Sequence, residues 1–168
     1  TMPATISVSG EGEVLAVPDI GTFSFSVTAD GVDAAAAQET SGTKINEILA
    51  YVTEQEIAEE DVKTQNYYLN QKWKYEQGQC LGDVYCPNNR VEDGYTVSQT
   101  ITVKLRNTEI AKAVIAGVGE RGATNISSLN FTVDDVEALK AEARAKAIVD
   151  AKAKAEVLAD QLGVRIAR

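Results

Sequence analysis

The stretch Tyr95–Arg106, YTVSQTITVKLR, decides the fold. Tyr95, Val97, Ile101, Val103 and Leu105 fall on one parity, and Thr96, Ser98, Thr100, Thr102, Lys104 and Arg106 on the other. Alternation sustained over this length is the period of a strand with one face buried and one in water. Upstream, Val62–Tyr75 places Tyr67, Leu69, Trp73 and Tyr75 on one parity. The residues between, Gln77 to Asp93, are polar, with Gly, Pro and Asn among them, and predict a loop. The two strands and their loop make a long hairpin in the middle of the chain.

Working outward, Phe23, Phe25 and Val27 alternate with Ser24, Ser26 and Thr28, again a half-buried strand. Before it, Thr5–Ser9 alternates around Ile6 and Val8, and Gly10-Glu11-Gly12-Glu13-Val14 continues it with glycines that suit a bend. With the Pro18-Asp19 turn signal, the two runs predict a hairpin. Asp33 is a good N-cap for an alanine-rich helix. Ile45, Ile48, Leu49 and Val52 carry that helix to about Gln55, with Ser41-Gly42 as its weak point. After the central hairpin, Thr108 caps a short helix that ends at Gly119. Ile126–Val133 reads as a fifth strand with Leu129, Phe131 and Val133 inward. Asp134 and Glu137 resemble a capping box. The last helix runs from there to Leu162, stopped by Gly163, with a narrow stripe from Val136 through Ala143, Ala147, Ala151 and Ala155 to Leu162 that suits packing on the sheet. Val164-Arg165-Ile166 can open a further strand.

The expected order is β-β-α-β-β-α-β-α: an α+β domain with a mainly antiparallel five-stranded sheet and helices on one face. One domain spans residues 1–168, with residues 1–3 read as a cloning remnant and a signal peptide either absent or already removed.

Composition narrows the function. The net charge of -9 argues against nucleic acid and against an electrostatic grip on anionic lipid. No run reaches the length of a membrane span. There is no histidine, so Ser-His and Cys-His pairs and imidazole metal ligands are excluded. The two cysteines, Cys80 and Cys86, lie close together in the polar loop, in neither a redox nor a zinc spacing. They are expected to form a disulfide, which implies an oxidising compartment. The sequence therefore predicts no catalytic residues, no cofactor and no metal.

At this point the segments resemble the SIMPL-domain family. Gly10-Glu11-Gly12-Glu13-Val14 followed by Pro18-Asp19 is similar to its amino-terminal signature. Asp61-Val62-Lys63-Thr64-Gln65 resembles its strand entry after the first helix, and Gly94-Tyr95-Thr96-Val97 its "G-Y" strand opening. Ile126–Phe131 is similar to its fifth strand, and Arg144–Gly163 to its final alanine-rich helix. The resemblance covers almost the whole chain. It implies an exported protein of the periplasm or cell envelope, in some relatives tied to oxidative-stress tolerance, peripheral to the envelope, and in some assembled into large rings. It implies no catalytic residues, because the family's activity is unassigned. Two departures stand out: the Cys80–Cys86 loop lies outside the family pattern, and the chain stops where the family has a closing strand.

Sharper readings compete with plainer ones. Gly10-x-Gly12 lies between strand signals rather than before a helix, so a strand bend is preferred to a phosphate cradle. The run Glu54, Glu56, Glu59, Glu60 and Asp61 lacks calcium-loop spacing and reads as a solvated helix end. Asp134, Asp135 and Glu137 are explained by helix capping. Asn125-Ile126-Ser127 fits a glycosylation sequon, but at a strand start. Tyr67, Tyr68, Trp73, Tyr75 and Tyr95 cluster along the hairpin, for core packing or an intersubunit contact rather than a cleft. Two functions follow. One is a non-catalytic envelope protein acting by homo-oligomeric assembly or partner binding, with Tyr68, Trp73 and Tyr75 as interface candidates. The other is a carboxylate- and tyrosine-based enzyme or small-ligand module in a cleft beside the hairpin.

Overall fold

A computed structural model describes residues 4–80, 82 and 86–167. The chain divides into two compact units: residues 19–132, and residues up to 18 together with those from 133.

In the first unit, β1 (Ile20–Gly31) pairs antiparallel with β3 (Asn88–Leu105), setting Phe23 opposite Val103 and Phe25 opposite Ile101. Their apolar parity is buried, because α1 (Ala34–Glu54) packs on both strands and seats Ile48 and Val52 against them. The helix begins where expected: Asp33 Oδ1 accepts from the Ala36 N–H at 2.8 Å. Ser41 is no weak point. It is fully buried and accepts from Gln99 Nε2 at 2.8 Å, which gives a partner to the one amide on the apolar parity between Tyr95 and Leu105. A single 3₁₀ turn, Thr108–Ile110, is capped by Asn107 rather than Thr108 and leads into α2 (Ala111–Glu120). The Tyr51 ring lies so close to Gly117 that a Cβ there would stand 2.1 Å from it. The helix runs past Gly119, and the left-handed residue is Gly122, at φ 94°.

β2 (Val62–Gln77) pairs antiparallel with the other side of β3, and β4 (Asn130–Thr132) with β1. The four-stranded sheet has the order β2-β3-β1-β4. The architecture is α+β, but three expectations fail. First, residues 4–18 form no strand, so the amino-terminal hairpin is absent. Second, the strand expected over 126–133 is regular only at Asn130–Thr132. Upstream it follows β1 through an isolated bridge between Thr124 and Ser26, with Asn125 at φ 49° breaking the ladder. Leu129 packs on the core as expected, whereas Phe131 is exposed. Third, Asn88–Asp93 belongs to β3 rather than to a loop. That segment pairs with β2, but all of it except Val91 and its neighbour Gly94 is exposed, so no apolar period marks it.

In the second unit, α3 (Val136–Leu162) is capped by Asp135, whose Oδ1 accepts from the Ala138 N–H at 2.9 Å. It ends at Gly163 with φ 65°, as expected of a left-handed stop. Its predicted stripe is half-buried from Leu139 to Leu158, while Val136 and Leu162 are exposed. The amino-terminal segment lies extended along that stripe. A Cβ on Gly10 would stand 1.9 Å from the Ala147 carbonyl oxygen, and one on Gly12 2.0 Å from that of Ala143. Glycine is required here for backbone-to-backbone approach to the helix, not for a strand bend. The Glu11 N–H donates to Asp150 Oδ2 at 2.8 Å, while Lys154 and Lys146 donate to the carbonyls of Ser9 and Glu13. Lys154 first, and then the Glu11 N–H, hold the Asp150 carboxyl below the ordinary aspartate range. Val164–Ile166 forms no strand.

Candidate functional site

The hairpin carries the residues that the sequence singled out. β2 extends over roughly 50 Å at ~3.3 Å per residue, and its residues 63–70 are all exposed. Two register irregularities shape it. Between Thr64 and Asn66, β2 takes an extra residue; between Tyr95 and Glu92, β3 takes one, where Gly94 adopts φ 78°. Opposite residues of an antiparallel pair share a face. Tyr67 and Leu69 therefore lie on the helix-bearing side with Gln99 and Val97, and Trp73 and Tyr75 continue that row opposite Glu92 and Arg90. Tyr68 lies on the other face, opposite Ser98.

The shared parity of Tyr67, Leu69, Trp73 and Tyr75 thus makes one row, but not a core. Exposure is 42% at Trp73, 57% at Tyr68 and 72% at Tyr75. The Arg90 guanidinium stacks 4.3 Å from the centre of the Trp73 ring. Of the expected interface residues, Trp73 and Tyr75 come together on one face and Tyr68 does not join them. At the far end Cys80 and Cys86 are joined by a disulfide with Cα atoms 4.2 Å apart, and the Gly78 N–H donates to the Pro87 carbonyl at 2.7 Å. At the near end Lys72 Nζ meets Asp30 Oδ2 at 2.7 Å, tying β2 across β3 to β1. That contact, with the Thr96 hydroxyl second, lowers the Asp30 pKa, and the same hydrogen bond raises that of Lys72.

Beside the hairpin, Asp30, Lys72, Glu92, Asp93 and Gly94 line an open depression of about 460 Å³. Its one lysine is already bound to a carboxylate, and no Ser, Thr, Cys or Tyr is among the described residues that line it. Sequence reading missed a different pair. Asp61, placed in the solvated acidic run, is only 6% exposed, and Arg106 grips it with Nε–Oδ2 at 2.9 Å and Nη2–Oδ1 at 3.1 Å. This two-point contact locks the start of β2 to the end of β3. Its signal was the position of Asp61 directly before a strand, among otherwise helix-end residues. Among the described residues no group of three or more His, Cys, Asp or Glu is placed to hold a metal ion. No helix among them is long and apolar enough to cross a membrane.

The fold and site define a class: an antiparallel sheet covered by helices over part of its width, with a long disulfide-closed hairpin left bare. The chain belongs to the SIMPL family, described as a protein of unknown function (DUF541), whose profile matches residues 6–168. It is 29% identical over 171 residues to the 26 kDa periplasmic immunogenic protein of Brucella melitensis, covering 100% of this chain and 65% of that protein. It is 27% identical over 155 residues to the uncharacterized protein YggE of Escherichia coli K12, covering 92% of this chain and 59% of that one. YggE of Edwardsiella ictaluri is 26% identical over 161 residues, 96% of this chain and 64% of the relative. The chain thus spans less than two thirds of the length of these relatives.

Proposed function

We propose that this chain is a non-catalytic exported protein of the cell envelope that acts by docking, its hairpin forming the contact in self-assembly or partner binding. The observation that carries this reading is the exposed row Tyr67, Leu69, Trp73 and Tyr75 on a strand that α1 leaves bare. Large aromatics held in water are costly to a lone chain and useful at an interface. The disulfide suits an oxidising compartment, and the Brucella relative is named periplasmic. The stress tolerance implied by the family resemblance would then come from assembly at the envelope rather than from turnover. Light scattering of the purified chain at high micromolar concentration tests the reading. A defined oligomer that dissociates in the Trp73→Ser/Tyr75→Ser variant is the expected result. A wild type that remains monomeric and retains no envelope protein on affinity capture would overturn it.

A further inference from the structure

β2 is an end strand of the sheet, so its outer backbone edge meets no other strand of the sheet. Folded proteins guard such edges with lysines, prolines and bulges. β2 has guards at both ends: Lys63 and its own extra residue before Asn66, then Lys72 and Lys74. The window between them, Asn66–Gln71 (NYYLNQ), has none. It keeps unbroken register with β3 from Asn66 opposite Thr100 to Gln71 opposite Tyr95. At ~3.3 Å per residue it offers about 20 Å of regular edge.

The side chains around the window specify what could lie beside it. On the helix-bearing side Tyr67 and Leu69 present exposed apolar surface. On the other side Lys63, Lys72 and Lys74 flank Asn66, Tyr68 and Asn70. β2 carries these three lysines against the single acid Glu76, in a chain whose net charge is -9. Lys72 and Lys74 are held by Asp30 and Glu76, while Lys63 has no ion pair among the described residues. We infer that this edge accepts an extended segment of another protein as a fifth strand, apolar at alternate positions and acidic at the ends of its other face. Main-chain hydrogen bonds would supply affinity, and the alternating side chains specificity. A second copy of β2 is the poorer occupant, because registers that pair the lysine-bearing ends oppose like charges across the strands.

This inference rests on the docking role proposed above, but it uses the backbone edge rather than Trp73 and Tyr75, so the two can fail separately. The probe is a dye-labelled peptide of alternating valine and serine, with aspartate replacing the outer serines, read by fluorescence anisotropy against the intact protein. A counterpart with lysine at those positions should bind about tenfold more weakly, the effect of a few opposed like charges, and Lys63→Glu should narrow that preference. N-methylation of one alternate set of peptide residues should abolish binding and of the other set leave it, because only one set faces the edge. Equal effects of the two sets, equal binding of the lysine-ended peptide, or no saturable change at millimolar protein would each overturn the inference. Light scattering of the protein alone separates the outcomes: an oligomer that binds no peptide removes the added strand and leaves assembly standing, and a monomer that binds it does the reverse.

Discussion

The two ends of β3 belong to one strand and live in different surroundings. From Val97 to Leu105 its apolar parity is closed off by α1 and by β1. From Asn88 to Glu92 it is paired with β2, and every residue there but Val91 is exposed. Backbone pairing is the same in both halves; what changes is the layer above. A strand's alternation says which side chains share a face, whereas burial of that face depends on how far the covering helix reaches. Evolution has filled the covered end with Val, Ile and Leu. The bare end is polar, and the β2 residues paired with it include Trp73 and Tyr75, aromatics with polar tips that tolerate water and suit an interface.

The contrast is broken most severely in the covered half. Ile101→Ala should cost about 2–5 kcal/mol, the range for a buried aliphatic truncated in a packed core. Tyr75→Ser in the bare half should change stability by no more than about 0.5 kcal/mol. Urea unfolding of both variants checks this, and comparable losses would mean that the arm is part of the core.

Next in size is the staple at the tip. The described residues of the arm from Trp73 to Cys80 are nearly all exposed, so the disulfide should carry much of its order. Cys80→Ser/Cys86→Ser should cost about 2 kcal/mol by the chain-entropy account of a ring this small. Hydrogen exchange should place the loss at Glu76–Asn89 and leave the amides of Ile101 and Val103 protected.

Smaller still is an effect of acid. The carboxyls of Asp30 and Asp150 are held below their ordinary value by Lys72 and Lys154. Their contribution is therefore fully present above about pH 4 and lost as pH falls towards and through the lower folded value. Lys72 and Lys154 are raised, so their share persists below about pH 10 and fades only as pH rises through the folded value. Protection factors at the Glu11 amide and along the root of β2, taken relative to the intrinsic exchange rate at each pH, should be flat between these limits and fall on acidification. Both pairs are solvent-exposed, so high salt should reduce the effect.

Much of this was legible. The α1 cap at Asp33, the covered part of β3 and the Gly163 stop follow from period and capping chemistry alone. Gln99, a lone amide between Val97 and Ile101, was passed over, and its buried partner Ser41 was read as part of a weak point in α1. Other parts carried no readable signal. Thr5–Ser9 alternates like a strand, and nothing in Gly10 and Gly12 distinguishes a bend from a backbone laid on a helix. Asn88–Asp93 is a strand whose residues are chosen for solvent, so it reads as a loop. Asp61 hid among neighbouring acids because its partner, Arg106, is distant in sequence. For the candidate interface, the sequence put Trp73 and Tyr75 on one parity, but it did not show that Tyr68 lies on the other face or that the helix layer stops short of them.

The most direct test of the central claim uses Trp73, the only tryptophan in the chain. Its emission maximum and its quenching by acrylamide report on the bare face without a label. If the hairpin is the contact surface, raising the protein from low to high micromolar concentration should shift the emission to the blue and protect the ring, and Tyr75→Ser should delay both changes. Emission and quenching that stay constant across that range, while light scattering records assembly, would show that the contact lies elsewhere and contradict the account.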